Sequence, residues 1–243
     1  MRLGKKPKRI DPRTLRLARY LIPGALPPPK PAVDWMKAVP QFGMYGNDRL
    51  ADCAIAAIGN LVRMWTANVG KPAIPTDDEV IAVYNALSPN DDGLCMLDVL
   101  NYWRQNPICG VTLGAFAELD SHNIQDVELA LDIFGGLYVG AELPLSAQNQ
   151  DVWDVSSGSD AEFGSWGGHC VPFGRYGSEP RTPDTGLSCV TWGAPKDTTW
   201  RWFTAYVDEC YCLISTDWLD GSGKTPEGLD LPTLQADLKL VTA

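Results

Sequence analysis

The sequence predicts an α+β fold, with a helical N-terminal lobe followed by an antiparallel sheet or barrel lobe. Three observations predict it. Between residues 52 and 134 apolar residues recur at helical spacing, whereas from Leu137 onward short β-branched and aromatic runs alternate with Gly, Pro and Asp. Helices come first and strands second, which favours segregated layers over alternating βα units. The 243 residues, 45% of them apolar, are enough for one core shared by two lobes.

The first helix is expected to open at Asp52/Cys53 and run to about Asn68, with Ile55, Ile58, Val62 and Trp65 on one face. Thr76 and Glu79 form a capping box that opens a second helix through Val80, Ile81 and Tyr84. A third spans Leu94 to Gln105 and stops before Pro107, and a fourth runs from Ile124 to Phe134 and closes at Gly135 and Gly136. Strands are expected at Leu137–Leu143, Cys170–Tyr176, Leu187–Trp192, Trp200–Val207 and Tyr211–Ser215. The domain organisation follows: a basic, proline-rich arm (1–32), a body (33–219), and a tail (220–243) with a short helix presenting Leu234, Leu238 and Val241.

Residues 1–30 carry nine Lys/Arg and one acid, whereas the remainder is strongly acidic and the whole chain has net charge −10. A basic arm on an acidic body reads as an interaction tail, with Lys5, Lys6, Lys8, Arg9, Arg13 and Arg16 as its contacts. Phosphate would be repelled by the body, so sequence-specific nucleic-acid binding is disfavoured. An acidic protein surface, or the acidic body of a neighbouring copy, fits the arm. Pro23, Pro27, Pro28, Pro29 and Pro31 separate the arm from the core pattern, so its loss is expected to leave the body intact. Within it, Leu15, Leu17, Tyr20 and Leu21 suggest a short amphipathic helix.

No apolar run approaches the roughly 18–20 residues of a membrane span, and no secretion signal is legible. Seven scattered cysteines without a CxxC pair suggest reduced thiols, a cytoplasmic setting and neither a metal nor another cofactor.

One group of residues carries chemistry. Cys53 sits at a predicted helix N-terminus, where the macrodipole favours a thiolate. His169 opens a predicted strand after Gly167 and Gly168, and Asn47, six residues before Cys53, offers an amide to a developing oxyanion. Thiol, imidazole and amide donor are the minimum for acyl transfer by a cysteine nucleophile. His122 lies in a polar turn and is expected to be an exposed loop residue.

The surrounding residues resemble the papain-like cysteine peptidases. Val33-Asp34-Trp35 followed by Ala38-Val39-Pro40 is similar to the family's mature N-terminus, and residues 53–57 (Cys-Ala-Ile-Ala-Ala) are similar to its nucleophile helix. Residues 169–177 (His-Cys-Val-Pro-Phe-Gly-Arg-Tyr-Gly) resemble its histidine strand. Residues 190–193 (Val-Thr-Trp-Gly) resemble its Asn-Ser-Trp-Gly element, and Trp200–Tyr206 its following strand. The resemblance implies a two-lobed papain-like fold over residues 33–219, catalysis by Cys53 and His169, and Trp192 as a shield over the imidazole. Asn47 stands where the family has Gln, Ala54 where it has Trp, and Val190 where it has the Asn that orients the imidazole. A main-chain carbonyl, Thr191, or an acid such as Asp154, Asp160 or Glu162 is left to take that third role.

Two functions follow from the resemblance. One is a thiol hydrolase of peptide or peptidoglycan amide bonds, with weak activity. The other is a catalytically impaired structural or binding protein, such as a capsid or tail accessory protein docked by its arm. Residues 3–7 (Leu-Gly-Lys-Lys-Pro) and 11–15 (Asp-Pro-Arg-Thr-Leu) resemble a set of bacterial and phage papain-fold proteins, which adds a virion setting to the cytoplasmic one.

Overall fold

A computed structural model describes residues 1–21, 28–177 and 186–215. The C-terminal helix expected around Leu234 lies outside the described residues, as do Pro23 and Pro27. Helices α1 (Cys53–Asn68), α2 (Asp77–Leu87) and α3 (Met96–Gln105) precede the sheet, and α4 (Ile124–Phe134) lies between its strands β2 (Leu113–Leu119) and β3 (Leu137–Leu143). The remaining strands are β4 (Gly167–Tyr176), β5 (Leu187–Thr191), β6 (Ala194–Thr198) and β7 (Val207–Ser215), with a two-residue β1 (Val33–Asp34). The order β2-β7-β3-β4-β5-β6 is antiparallel throughout, and β1 pairs with the end of β4. Among the described residues its end strands β2 and β6 are not paired with each other, so the sheet is open and does not close into a barrel. Among the described residues no helix is long and apolar enough to cross a membrane.

The first ten residues of α1 are all buried, which is the pattern of a helix enclosed on every side. Ala54, Ala56, Ala57 and Gly59 keep it slim. A Cβ at Gly59 would lie 2.7 Å from the Tyr45 ring, so glycine is what lets the preceding loop pack down on the helix. That loop is pinned by the buried Asn60 amide, which donates to Gly43 O (3.0 Å) and accepts from Gly43 N–H (2.9 Å). The capping box forms at Thr76 and Glu79, and α4 ends in left-handed Gly135 (φ 70°).

Trp200–Val207 is not a strand, as its aromatic content suggested. It forms helix α5 (Trp200–Tyr206), capped by Thr199 Oγ accepting from Trp202 N–H (3.1 Å). Helical spacing packs Trp200 edge-on against Phe203 and Trp202 at a tilt against Tyr206, and these contacts outweigh intrinsic strand preference. Two strands were not legible, β2 and β6. β6 carries an internal proline, Pro195, and is largely exposed, the usual state of an edge strand.

The N-terminal arm is part of the fold. Its expected amphipathic helix is a single 3₁₀ turn (Leu17–Arg19), and Leu15, Leu17 and Tyr20 are buried in the common core. Glu118 N–H donates to Leu15 O (2.8 Å) along the outer edge of β2. The basic residues assigned to a partner meet the acidic body of their own chain. Lys6 pairs with Asp92 (3.1 Å), Lys8 and Arg16 with Glu118 (2.6 and 3.0 Å), and Arg9 with Asp98. Arg13 pairs within the arm, with Asp11 (2.7 Å). Opposite charges at short range in one molecule need no concentration to associate, which favours these intramolecular pairs. Leu17→Ala is therefore expected to lower unfolding free energy by about 2–5 kcal/mol, read as the shift in a urea midpoint. A shift within error would show a dispensable arm.

Candidate functional site

Cys53 is the first residue of α1 and is buried beneath both lobes. Its helix opens without a side-chain cap, because the Asp52 carboxylate is turned elsewhere. Asp52 Oδ1 accepts from Asn47 Nδ2 (3.0 Å), and the buried Oδ2 has no partner. Burial raises the Asp52 carboxyl to about 7, against the opposing pull of Asn47. Asn47 thus lies beside the N-terminus of α1, with one of its two amide N–H groups donated to Asp52.

The backbone of Cys170 on β4 neighbours the Cys53 thiol and opposes the rise of its pKa. His169 is the preceding residue of β4. The imidazole is fully enclosed. Its Nε2 lies 2.8 Å from Thr191 Oγ, and its face stacks on Trp192 (centroids 4.9 Å apart, planes at 16°). Trp192 adopts φ 48° and Gly193 φ 73° in the tight turn joining β5 to β6. That left-handed step swings the indole back over the ring, and Trp166 and Trp153 then brace the indole. Trp192 thus covers one face of the His169 ring.

The third position belongs to Thr191, not Val190. Adjacent strand residues face opposite ways, so a β5 that offers Thr191 to the imidazole sends Val190 into the core, where it is 1% exposed. His169 Nδ1 has no hydrogen-bond partner. With the proton on Nε2 donated to Thr191, Nδ1 is the free base. Burial lowers the imidazole to about 3 and raises the Cys53 thiol to about 11, so both are neutral in this state. His122 is the exposed turn residue expected. Among the described residues no cluster of His, Cys, Asp and Glu is arranged to hold a metal ion.

What fills the cleft is a segment that the sequence reading had placed outside the body. Residues 4–6 of the arm run between the lobes as an extended segment. Lys5 N–H donates to Gly168 O (3.0 Å), Lys6 N–H to Leu94 O (2.9 Å), and Leu94 N–H to Gly4 O (2.8 Å). The Gly4 backbone lies against the Cys53 thiol, where it opposes the rise of the thiol's pKa. The fit is backbone against backbone: a Cβ at Gly4 would lie 1.9 Å from Ala51 O, one at Gly168 2.4 Å from Lys5 O, and one at Gly93 2.2 Å from Gly4 O. The Lys5 ammonium is buried among Glu142, Asp208 and Glu209. Acids within the apolar runs of β3 and β7 were the one sequence signal for that pocket.

No protein-family profile and no curated protein sequence matches the chain. Solved structures do. Xylellain, a cysteine protease from Xylella fastidiosa, is similar with TM-score 0.62 at 13% identity, over 87% of this chain and 95% of that one. Procathepsin B from Trypanosoma congolense is similar with TM-score 0.61 at 10% identity, over 88% and 86%. Digestive procathepsin L 3 of Tenebrio molitor larval midgut is similar with TM-score 0.54 at 13% identity, over 83% and 76%. These likenesses show the fold, which is that of the papain-like cysteine proteases in a divergent form.

Asp52 gives the site a pH signature. Its folded pKa lies above the unfolded value of 3.8, so its contribution is full below pH 3.8 and is lost as pH rises toward 7. Asp52→Asn removes that loss. The stability of the variant relative to the parent should therefore climb between pH 4 and 7 and level off above, in paired urea titrations. A pH-independent difference would contradict a buried, protonated Asp52.

Proposed function

We propose that the chain is a thiol hydrolase of amide bonds in peptides, held latent by its own N-terminal arm. The observation that supports it most is the held imidazole: His169 clamped by Thr191 and Trp192, with Nδ1 unpartnered, one residue along β4 from the Cys170 backbone that neighbours the Cys53 thiol. With the arm out of the cleft, His169 Nδ1 takes the Cys53 proton as the sulfur attacks the carbonyl carbon. The N-terminal N–H groups of α1, joined by the Asn47 amide, carry the charge on the carbonyl oxygen. The imidazolium then protonates the leaving amine. Water, deprotonated by His169, hydrolyses the thioester, freeing the acid and restoring the thiol. Thr191 is a positioning residue that fixes the ring. Peptide or peptidoglycan-stem amides are the substrate class, in a phage or bacterial setting.

A second reading is a binding or structural protein, such as a virion component. It is favoured by the neutral thiol and imidazole and by the occupied cleft.

Gly4→Leu separates the two, because its side chain has no room against Ala51 and must expel residues 3–6 while leaving Leu15, Leu17 and Tyr20 seated. On the folded variant, iodoacetamide alkylation of Cys53 near neutral pH should rise on the order of tenfold or more. Cleavage of a mixed peptide library should appear, vanish with Cys53→Ala or His169→Ala, and fall about a hundredfold with Thr191→Val but far less with Thr191→Ser. Rapid alkylation without any cleavage would overturn the hydrolase reading in favour of the second.

A further inference from the structure

Resting on the reading of the cleft as a substrate site, we infer that the pocket now holding the Lys5 side chain is a subsite for a lysine side chain of a polypeptide substrate. Its walls belong to the body. The lysine stem lies against Gly140 of β3 and Met96 of α3, where a Cβ at Gly140 would come within 2.4 Å of Lys5 Cε and 2.7 Å of Met96 Sδ. Any larger residue at position 140 would close the sleeve. At its far end stand three carboxylates. Lys5 Nζ lies 2.9 Å from Glu142 Oε1, 2.8 Å from Asp208 Oδ2 and 3.5 Å from Glu209 Oε1.

The pocket is over-supplied with negative charge for the one cation it contains. Asp208 Oδ1 is buried with no hydrogen-bond partner. Glu209 also accepts from Tyr211 Oη (2.9 Å), and burial pushes its carboxyl up despite Lys5. Burial alone would lower the Lys5 ammonium, yet Asp208 and Glu209 hold it above its ordinary range. Emptied of the arm, this is a narrow apolar sleeve ending in two or three uncompensated carboxylates, and a linear primary ammonium on a four-carbon stem fits it. The backbone partners beside it, Gly168 O and both polar groups of Leu94, already bind one extended peptide. An extended substrate would reuse them.

The test measures binding, not turnover. The full chain carrying Gly4→Leu, Lys5→Gln and Cys53→Ala leaves the pocket vacant and cannot cleave, so its result is independent of whether the protein is a hydrolase. Two fluorescent peptides serve as probes: acetyl-Leu-Gly-Lys-Lys-Pro-amide, and the same peptide with norleucine at its first lysine. Fluorescence anisotropy should show the lysine peptide binding about tenfold more tightly. Adding Asp208→Asn, or Glu209→Gln as a second and more buried variant, should shrink that preference to about twofold. Equal affinity for both peptides, or a preference untouched by both substitutions, would overturn the subsite. A discriminating pocket in a protein that never cleaves would retain the subsite and reject only the hydrolase.

Discussion

The arrangement of this protein depends on one buried ammonium. Taking Lys5 out of water is costly by itself, and only the surrounding carboxylates of β3 and β7 make it tolerable. Once seated, the lysine fixes the register of the arm to within a residue. Gly4 and Lys6 then bracket Leu94, at the threshold of α3, and Lys5 N–H reaches Gly168 on β4. Helical lobe and sheet lobe are thereby tied across the cleft by a strand that belongs to neither. Bulk at position 4, 93 or 168 would break the fit, since each glycine touches main chain that has nowhere to go.

The electrostatics of the site follow from that closure. A thiolate and an imidazolium need water or matching partners, and the arm excludes the first. The thiol is consequently raised to about 11 and the imidazole lowered to about 3, with burial the leading cause in both. Geometry, by contrast, is kept. Thr191 and Trp192 hold the ring from two sides, and the Cys170 backbone stays beside the sulfur. The site is ordered in shape but neutral in charge, and opening the cleft would change its solvation without rebuilding the scaffold.

Much of the fold was legible because local signals agreed. The Thr76–Glu79 box, the Gly135 stop and the apolar face of α1 each mark an element that formed where the sequence placed it. Trp200–Tyr206 was misread because aromatic content argues for a strand only where no capping threonine and i, i+4 partner argue for a helix. At the site, order and flanking motifs singled out Cys53, His169 and Trp192 in the sequence. Thr191 was one of several candidates to meet the imidazole, and the sequence could not choose among them, since one-residue register on a strand decides which side chain faces the ring. The arm was the largest surprise. Its charge was visible, but nothing in a single sequence distinguishes a partner's acids from those of the same chain, and three of the decisive ones lie over 130 residues away.

The most direct measurement of the central claim, that the arm closes the cleft through main-chain bonds, is native-state amide hydrogen exchange on the unmodified chain. The account predicts that the N–H groups of Lys5, Lys6 and Leu94 are protected and share a common opening, separate from the slower exchange of β4. Exchange of Lys5 and Lys6 at the rate of an unstructured peptide, with β4 still protected, would contradict it.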